Sequence, residues 1–179
     1  MNKNWRVALL RGINVGTAKR VAMADLKKLV EGLGCTDVKT LLNSGNVVYT
    51  ESKSGAGSAE RLEKAIATKL KVTCRVMVLT GAEVAAIIDE NPLLKVADNP
   101  SKLHAFVLSS KADAKRFDAL LKQRWAPEAL AMGPRVAYMW CPAGQIESPL
   151  AKAVARELKD SITARNWATM LKLHALVSA

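Results

Sequence analysis

The sequence predicts an α+β fold, in which a ferredoxin-like β-α-β-β-α-β half packs against a second, related α+β half ending in two helices. Three observations point there. β-rich runs and helix-period stretches follow one another in nearly the same order twice along the chain. A stretch with two Asn-Pro steps, "NPLLKVADNPS" at 91–101, separates the two passes. The 179 residues, 50% of them hydrophobic and 24% charged, suffice for a sizeable core in one domain or two small ones. The expected division is 1–80 as the ferredoxin-like sub-domain, 81–101 as helix and connector, and 102–179 as the second sub-domain with its C-terminal helices.

"WRVALLR" (5–11) is apolar enough for a central strand. "MADLKKLVEGLG" (23–34) repeats Met23, Leu26, Leu29, Val30 and Leu33 at helical spacing and stops at Gly34. "VKTLL" (38–42) and "VVYT" (47–50) are β-rich and joined by "NSGN" (43–46), whose residues tolerate positive φ. After the flexible "KSGAGS" (53–58), "AERLEKAIATKL" (59–70) reads as a helix and "TCRVMVL" (73–79) as the fourth strand.

"TGAE" (80–83) is a capping box opening the helix "EVAAIIDE". Beyond the connector come a strand "KLHAFVL" (102–108), a helix "ADAKRFDALLKQRW" (112–125), and a hairpin of "EALAM" (128–132) with "RVAYMWC" (135–141) around Gly133-Pro134. "SPLAKAVARELK" (148–159) has Ser as cap and Pro at the first helical position. A last helix is expected over about 163–177, capped by Thr163 or Asn166, where a fourth strand would otherwise stand. No residue-level repeat relates the halves, so the expectation of a duplication rests on topology alone.

Charge bears on partners. The net charge is +11, and residues 1–80 carry 14 Lys and Arg against 6 Asp and Glu, a balance of +8. That asymmetry points to an anionic partner for the first half. In a ferredoxin-like sheet the end of strand one and the start of strand three fall on one edge. "RGINVGTAKR" (11–20) should therefore face "NSGN", beside the loop "KLKVT" (69–73). The edge would collect Arg11, Lys19, Arg20, Lys69 and Lys71, with Asn14, Asn43, Ser44 and Asn46 as polar donors and the amides of Gly12, Gly16 and Gly45. Glycines let backbone N–H groups approach an oxyanion, and the helix start at 23 adds positive partial charge. The pattern is neither a Walker loop nor GxGxxG.

"ALLRGINVGTAKRVAMADLKKLVEGLG", "SGNVVYT" and "TARNWATMLKL" (163–173) together resemble a widespread bacterial family known only as domain of unknown function 1697. The resemblance spans residues 5–177 and implies an α+β protein of two sub-domains, with no activity to carry over. This chain departs from the family pattern at Thr17-Ala18, where a further glycine is common. In "TARNW", Arg165, Asn166 and Lys172 would complete an anion pocket in a cleft between the halves, with Trp167 as core or as a stacking plane. The expected ligand is a small phosphate- or nucleotide-like anion.

Nucleic acid is the competing partner on charge, although aromatics at 4% make a stacking platform unfavourable. An enzyme acting on an anionic substrate would need a base that only folding could bring near Ser44 or Arg11. No acid occurs in residues 1–22, and His104 and His174 read as structural. The residues identify no cofactor. Cys35, Cys74 and Cys141 form no CxxC, and with two histidines no metal site is expected. No stretch approaches the ~20 apolar residues of a membrane helix. Only four consecutive apolar residues precede Arg11. A cytoplasmic protein without a membrane partner is therefore expected.

Overall fold

The computed structural model describes residues 3–178. They divide into two compact units, one running through Val84 and resuming at Leu173, the other comprising Ala85–Lys172.

In the first unit, β1 (Trp5–Leu10), α1 (Met23–Gly32), β2 (Cys35–Leu41), β3 (Asn46–Glu51), α2 (Ala59–Ala65) and β4 (Val76–Thr80) follow in order. The antiparallel sheet runs β2-β3-β1-β4. Central β1 pairs Val7 with Val48 and Leu79 on its two sides. Its near-continuous apolar run is explained by burial on both faces. Ala8, Leu10, Val47, Tyr49 and Val76 meet Leu26, Leu29 and Val30 of α1 and Leu62 of α2 in one core cluster. Val7, Leu9, Val48 and Leu79, of opposite parity, are buried as well. Edge strand β2 carries a bulge between Thr36 and Lys39. Helix α2 continues into a π-helical turn, Ile66–Leu70, and ends at Lys71 in the left-handed region, φ 57°.

In the second unit, β5 (Leu103–Leu108), β6 (Ala129–Met132), β7 (Val136–Trp140) and β8 (Ile162–Asn166) form a sheet of order β6-β7-β5-β8, the same topology as the first. Phe106, Leu108, Ala137 and Met139 pack on Phe117, Leu120 and on Leu150 and Val154 of α5 (Pro149–Leu158). Helix α3 (Gly81–Asp89) starts at the Thr80–Glu83 capping box, with reciprocal hydrogen bonds of 2.8 and 3.0 Å.

Two elements differ from expectation. The helix expected over 112–125 is a 3-10 segment, Lys111–Phe117, followed by a single α-turn, α4 (Asp118–Leu121). The helix expected from 163 begins later: residues 162–166 are β8, and α6 spans Trp167–Val177. Asn166, not Thr163, supplies the cap, accepting hydrogen bonds from the Thr169 N–H at 2.9 Å and its hydroxyl at 2.8 Å. Starting the helix there releases β-branched Ile162 and Thr163 to pair with β5, and the second unit gains its fourth strand. No helix of the described residues is long and apolar enough to cross a membrane.

Candidate functional site

The end of β1 and the β2–β3 turn meet directly: the Leu10 N–H donates to the Gly45 carbonyl at 2.8 Å. Gly45 has φ 79°, and a β-carbon there would fall 2.7 Å from Ile13 and 2.8 Å from Leu10. Only glycine fits this crossing. On the other side of β1, the Arg11 N–H donates to the Arg75 carbonyl at 2.9 Å, which draws residues 71–75 alongside.

Asn14 holds the β1–α1 loop shut. Its side-chain amide donates to the Val21 carbonyl (2.9 Å) and the Asn43 carbonyl (2.8 Å), and its oxygen accepts from the Val21 N–H (2.8 Å). The Asn14 N–H reaches the Lys19 carbonyl at 3.0 Å, closing residues 15–18 into a small protruding turn. Asn14 sits at φ 54°, a left-handed conformation that asparagine tolerates. Asn46 is fully buried, and its amide donates to the Leu41 carbonyl (2.7 Å) and to Ser44 Oγ (2.9 Å). Both asparagines thus spend their amide hydrogens on the loops, so they frame the edge instead of offering donors to a ligand.

The cations of the edge are sorted by the fold. Lys19, Arg20 and Lys71 are exposed, while Arg11 is half-buried at the strand end. Arg75 pairs with Glu63 at 3.4 Å. The Lys69 ammonium, expected at this edge, lies instead 4.0 Å from where a Gly32 β-carbon would stand, at the C-terminal end of α1, whose partial negative charge it complements. Gly12 (φ 67°) and Gly16 (φ 61°) have open space where a β-carbon would go. Ile13, Val21, Val72 and Cys74 anchor the underside of these loops in the core cluster.

Helix α1 begins just behind. Its N-cap is Ala22, which has no side chain to cap the first turn. The topologically equivalent strand end in the second unit is built differently. There Asp113 accepts from the Ser109 hydroxyl (2.9 Å), the Ser110 N–H (3.1 Å) and the Ser110 hydroxyl (2.9 Å), and Arg116 lies 3.6 Å away. Partial burial opposes ionisation of this carboxyl, but the Ser109, Ser110 and Arg116 hydrogen bonds outweigh it and hold the Asp113 pKa below the usual range. The second unit therefore closes this segment with a reciprocal Ser110–Asp113 capping box, whereas α1 has Ala22 as its N-cap and Asp25 as the acid of its first turn. A residue-by-residue reading missed this contrast, because only the shared strand order makes the two positions comparable.

The second group of expected ligand residues is placed otherwise. Arg165 is buried on β8, donating to Thr163 Oγ1 (3.1 Å) and the Ala164 carbonyl (2.8 Å). Burial lowers its pKa to about 10, which still leaves it cationic at neutral pH. Asn166 is the α6 cap, and Lys172 is exposed on α6. These hydrogen bonds hold Arg165 to its own strand and make Asn166 the start of α6.

Burial pushes up the thiols of Cys35, Cys74 and Cys141, that of Cys74 to about 11, which makes them poor nucleophiles. His104 is buried on β5, and its Nδ1 has no hydrogen-bond partner among the described residues. No three His, Cys, Asp or Glu side chains group as a metal site would require, again among the described residues.

No curated protein matches the chain. Among solved structures it is similar to a conserved bacterial protein from Streptococcus pneumoniae, with a TM-score of 0.80 and 23% identity over 97% of this chain and 98% of the other. That likeness carries the two-part α+β architecture. A family model described as "Protein of unknown function (DUF1697)" matches residues 3–138, about three quarters of the sequence. The chain belongs to this family.

Proposed function

We propose that the chain binds a small oxyanion, the phosphate of a phosphorylated or nucleotide-like metabolite, at the strand-edge loops of its first unit. One contrast carries the reading: α1 starts at Ala22 without a side-chain cap, with Asp25 in its first turn, whereas the equivalent segment of the second unit is closed by the reciprocal Ser110–Asp113 box. Helix starts with unsatisfied N–H groups favour an anion, and an internal carboxylate is one way to supply it. In the first unit a bound oxyanion would take the place of the missing cap.

Arg11, Lys19 and Arg20 are the cations of the loop before that start, and the first acid of the sequence is Asp25, in the first turn of α1. Gly12 and Gly16 let an oxyanion reach the backbone, while Gly45, Asn14, Ser44 and Asn46 keep the two loops in place. Arginine offers a planar fork to phosphate and lysine a point charge.

The test is a thermal-shift panel at low and moderate salt with inorganic phosphate, pyrophosphate, nucleotides, sugar phosphates and short oligonucleotides. A ligand at ~100 times its dissociation constant adds about 2.7 kcal/mol, enough to read. The double variant Lys19→Ala/Arg20→Ala, whose side chains are exposed, should keep the unliganded melting temperature and lose the shift. A shift from oligonucleotides alone, abolished by moderate salt, would instead assign the edge to a nucleic-acid backbone.

A further inference from the structure

The same edge carries two exposed aliphatic side chains. Val15 is 71% and Leu42 51% exposed. They stand on either side of one hydrogen bond, since Asn14 precedes Val15, Asn43 follows Leu42, and the Asn14 amide reaches the Asn43 carbonyl at 2.8 Å. Both stand at or beside left-handed backbone. Val15 lies between Asn14 at φ 54° and Gly16 at φ 61°, and Leu42 itself adopts φ 58°, a region leucine rarely enters. The tips are tied down by Asn14 and, on their inner side, by buried Ile13, Val21 and Val72. They protrude from an anchored base.

Scattered exposed aliphatics need no explanation. Two on adjoining loop tips, with exposed Lys19 and Arg20 on the loop of Val15 and with no acid in residues 1–24 or 38–50, form a pattern. We propose that this edge docks on an anionic lipid bilayer, with Val15 and Leu42 entering the headgroup layer and the cations meeting lipid phosphates. The proposal rests on the oxyanion reading above and names the surface that presents the anion. The expectation of no membrane partner followed from the lack of a spanning segment, and peripheral docking needs none.

Three considerations favour a bilayer. A nucleic-acid backbone would use the cations but leave both aliphatic tips in water, and a stacking role would call for aromatics. A rigid protein partner would need pockets matched to two convex tips, whereas an interfacial lipid layer yields to them. Apolar contact and basic charge act together at anionic membranes, each cation adding attraction that falls off within a Debye length.

The test is co-sedimentation of the full chain with phosphatidylcholine vesicles, with and without about 30 mol% phosphatidylserine. The expected result is binding to the anionic vesicles only, reduced about tenfold in Val15→Ser/Leu42→Ser. That variant should keep the wild-type denaturation midpoint and the phosphate-induced thermal shift. A phosphate shift without vesicle binding overturns bilayer docking and leaves the oxyanion reading standing. Vesicle binding indifferent to the Val15/Leu42 variant overturns insertion of the tips. Salt-sensitive capture of oligonucleotides without vesicle binding also overturns the proposal. Absence of both phosphate and vesicle responses removes both readings together.

Discussion

Asn14 is the residue on which the edge turns. Three of its side-chain hydrogen bonds close the β1–α1 loop and tie it to the β2–β3 turn. Each such bond contributes roughly 1 kcal/mol net, so Asn14→Ala should lower stability by about 1–3 kcal/mol in urea denaturation. Asn14→Gly keeps the left-handed backbone but loses the bonds, and should fall between the two. A midpoint unchanged in both would mean that the latch contributes nothing. That Asn14 and Asn46 hold the loops is not legible in the sequence, because an amide's partners depend on which carbonyls the fold brings within 3 Å, and spacing along the chain does not reveal that. His104 gives a second residue-scale prediction. Burial lowers its pKa, and a hydrogen bond with the Lys102 backbone only partly opposes this. The unfolded chain takes up a proton at about pH 6.5 while the folded chain still resists it. Stability is therefore complete above that value and declines as pH falls through it. His104→Leu removes the partnerless Nδ1 and should flatten the decline in denaturation midpoint between about pH 7.5 and 5.5. A wild-type slope retained in this variant would assign the pH response to other groups.

At the scale of elements, most of the fold was legible because its hydrophobic periods are clean. Leu26, Leu29 and Val30 face the core from α1, and β1 and β3 read as near-continuous apolar runs buried on both faces. The misses occurred where two local signals competed. In "ITARN" the β-branched pair Ile162-Thr163 favours a strand, while Thr163 and Asn166 both qualify as helix caps. Thr169, three residues beyond Asn166, resolves it, since its N–H and hydroxyl both need the Asn166 oxygen. Asn166→Ala should cost about 1 kcal/mol, with Asn166→Asp or Asn166→Ser recovering most of it. Equal stability of the alanine and serine variants would show that the cap is dispensable. The segment at 112–125 shortened for a related reason. Ser110 and Asp113 start it as a tight 3-10 turn, and the Trp125 indole N–H turns back to the Leu120 carbonyl at 2.7 Å, which leaves one α-turn between. Asn-Pro steps and glycines are strong sequence punctuation, whereas a 3-10 start is not written in any period.

At the scale of the whole molecule, the two units share a strand order but treat corresponding strand ends differently, and this asymmetry matches the charge. The excess of +8 lies in residues 1–80, where the helix after the first strand has no side-chain cap, and the balance is nearer neutral in the half that contains the Ser110–Asp113 box. The location of the candidate edge was legible from topology and charge, since the loops after β1 and before β3 must share a sheet edge. Which groups remain available to a ligand was not, because that depends on caps and carbonyl contacts formed only on folding. The asymmetry can be reversed by a single change. Ala22 lies exposed at the N-cap of α1 with φ −71° and ψ 131°, the extended geometry a capping aspartate adopts. Ala22→Asp should give α1 a capping carboxylate in addition to Asp25 of its first turn, raising stability by about 0.5–2 kcal/mol through capping. The same side chain would occupy and repel the anion position, so the phosphate-induced thermal shift should disappear as the unliganded melting temperature rises. Ala22→Ser separates the two effects, since it caps without adding charge and should keep more of the phosphate response. A full phosphate shift in Ala22→Asp would place the anion away from the start of α1 and leave the edge with its cations alone.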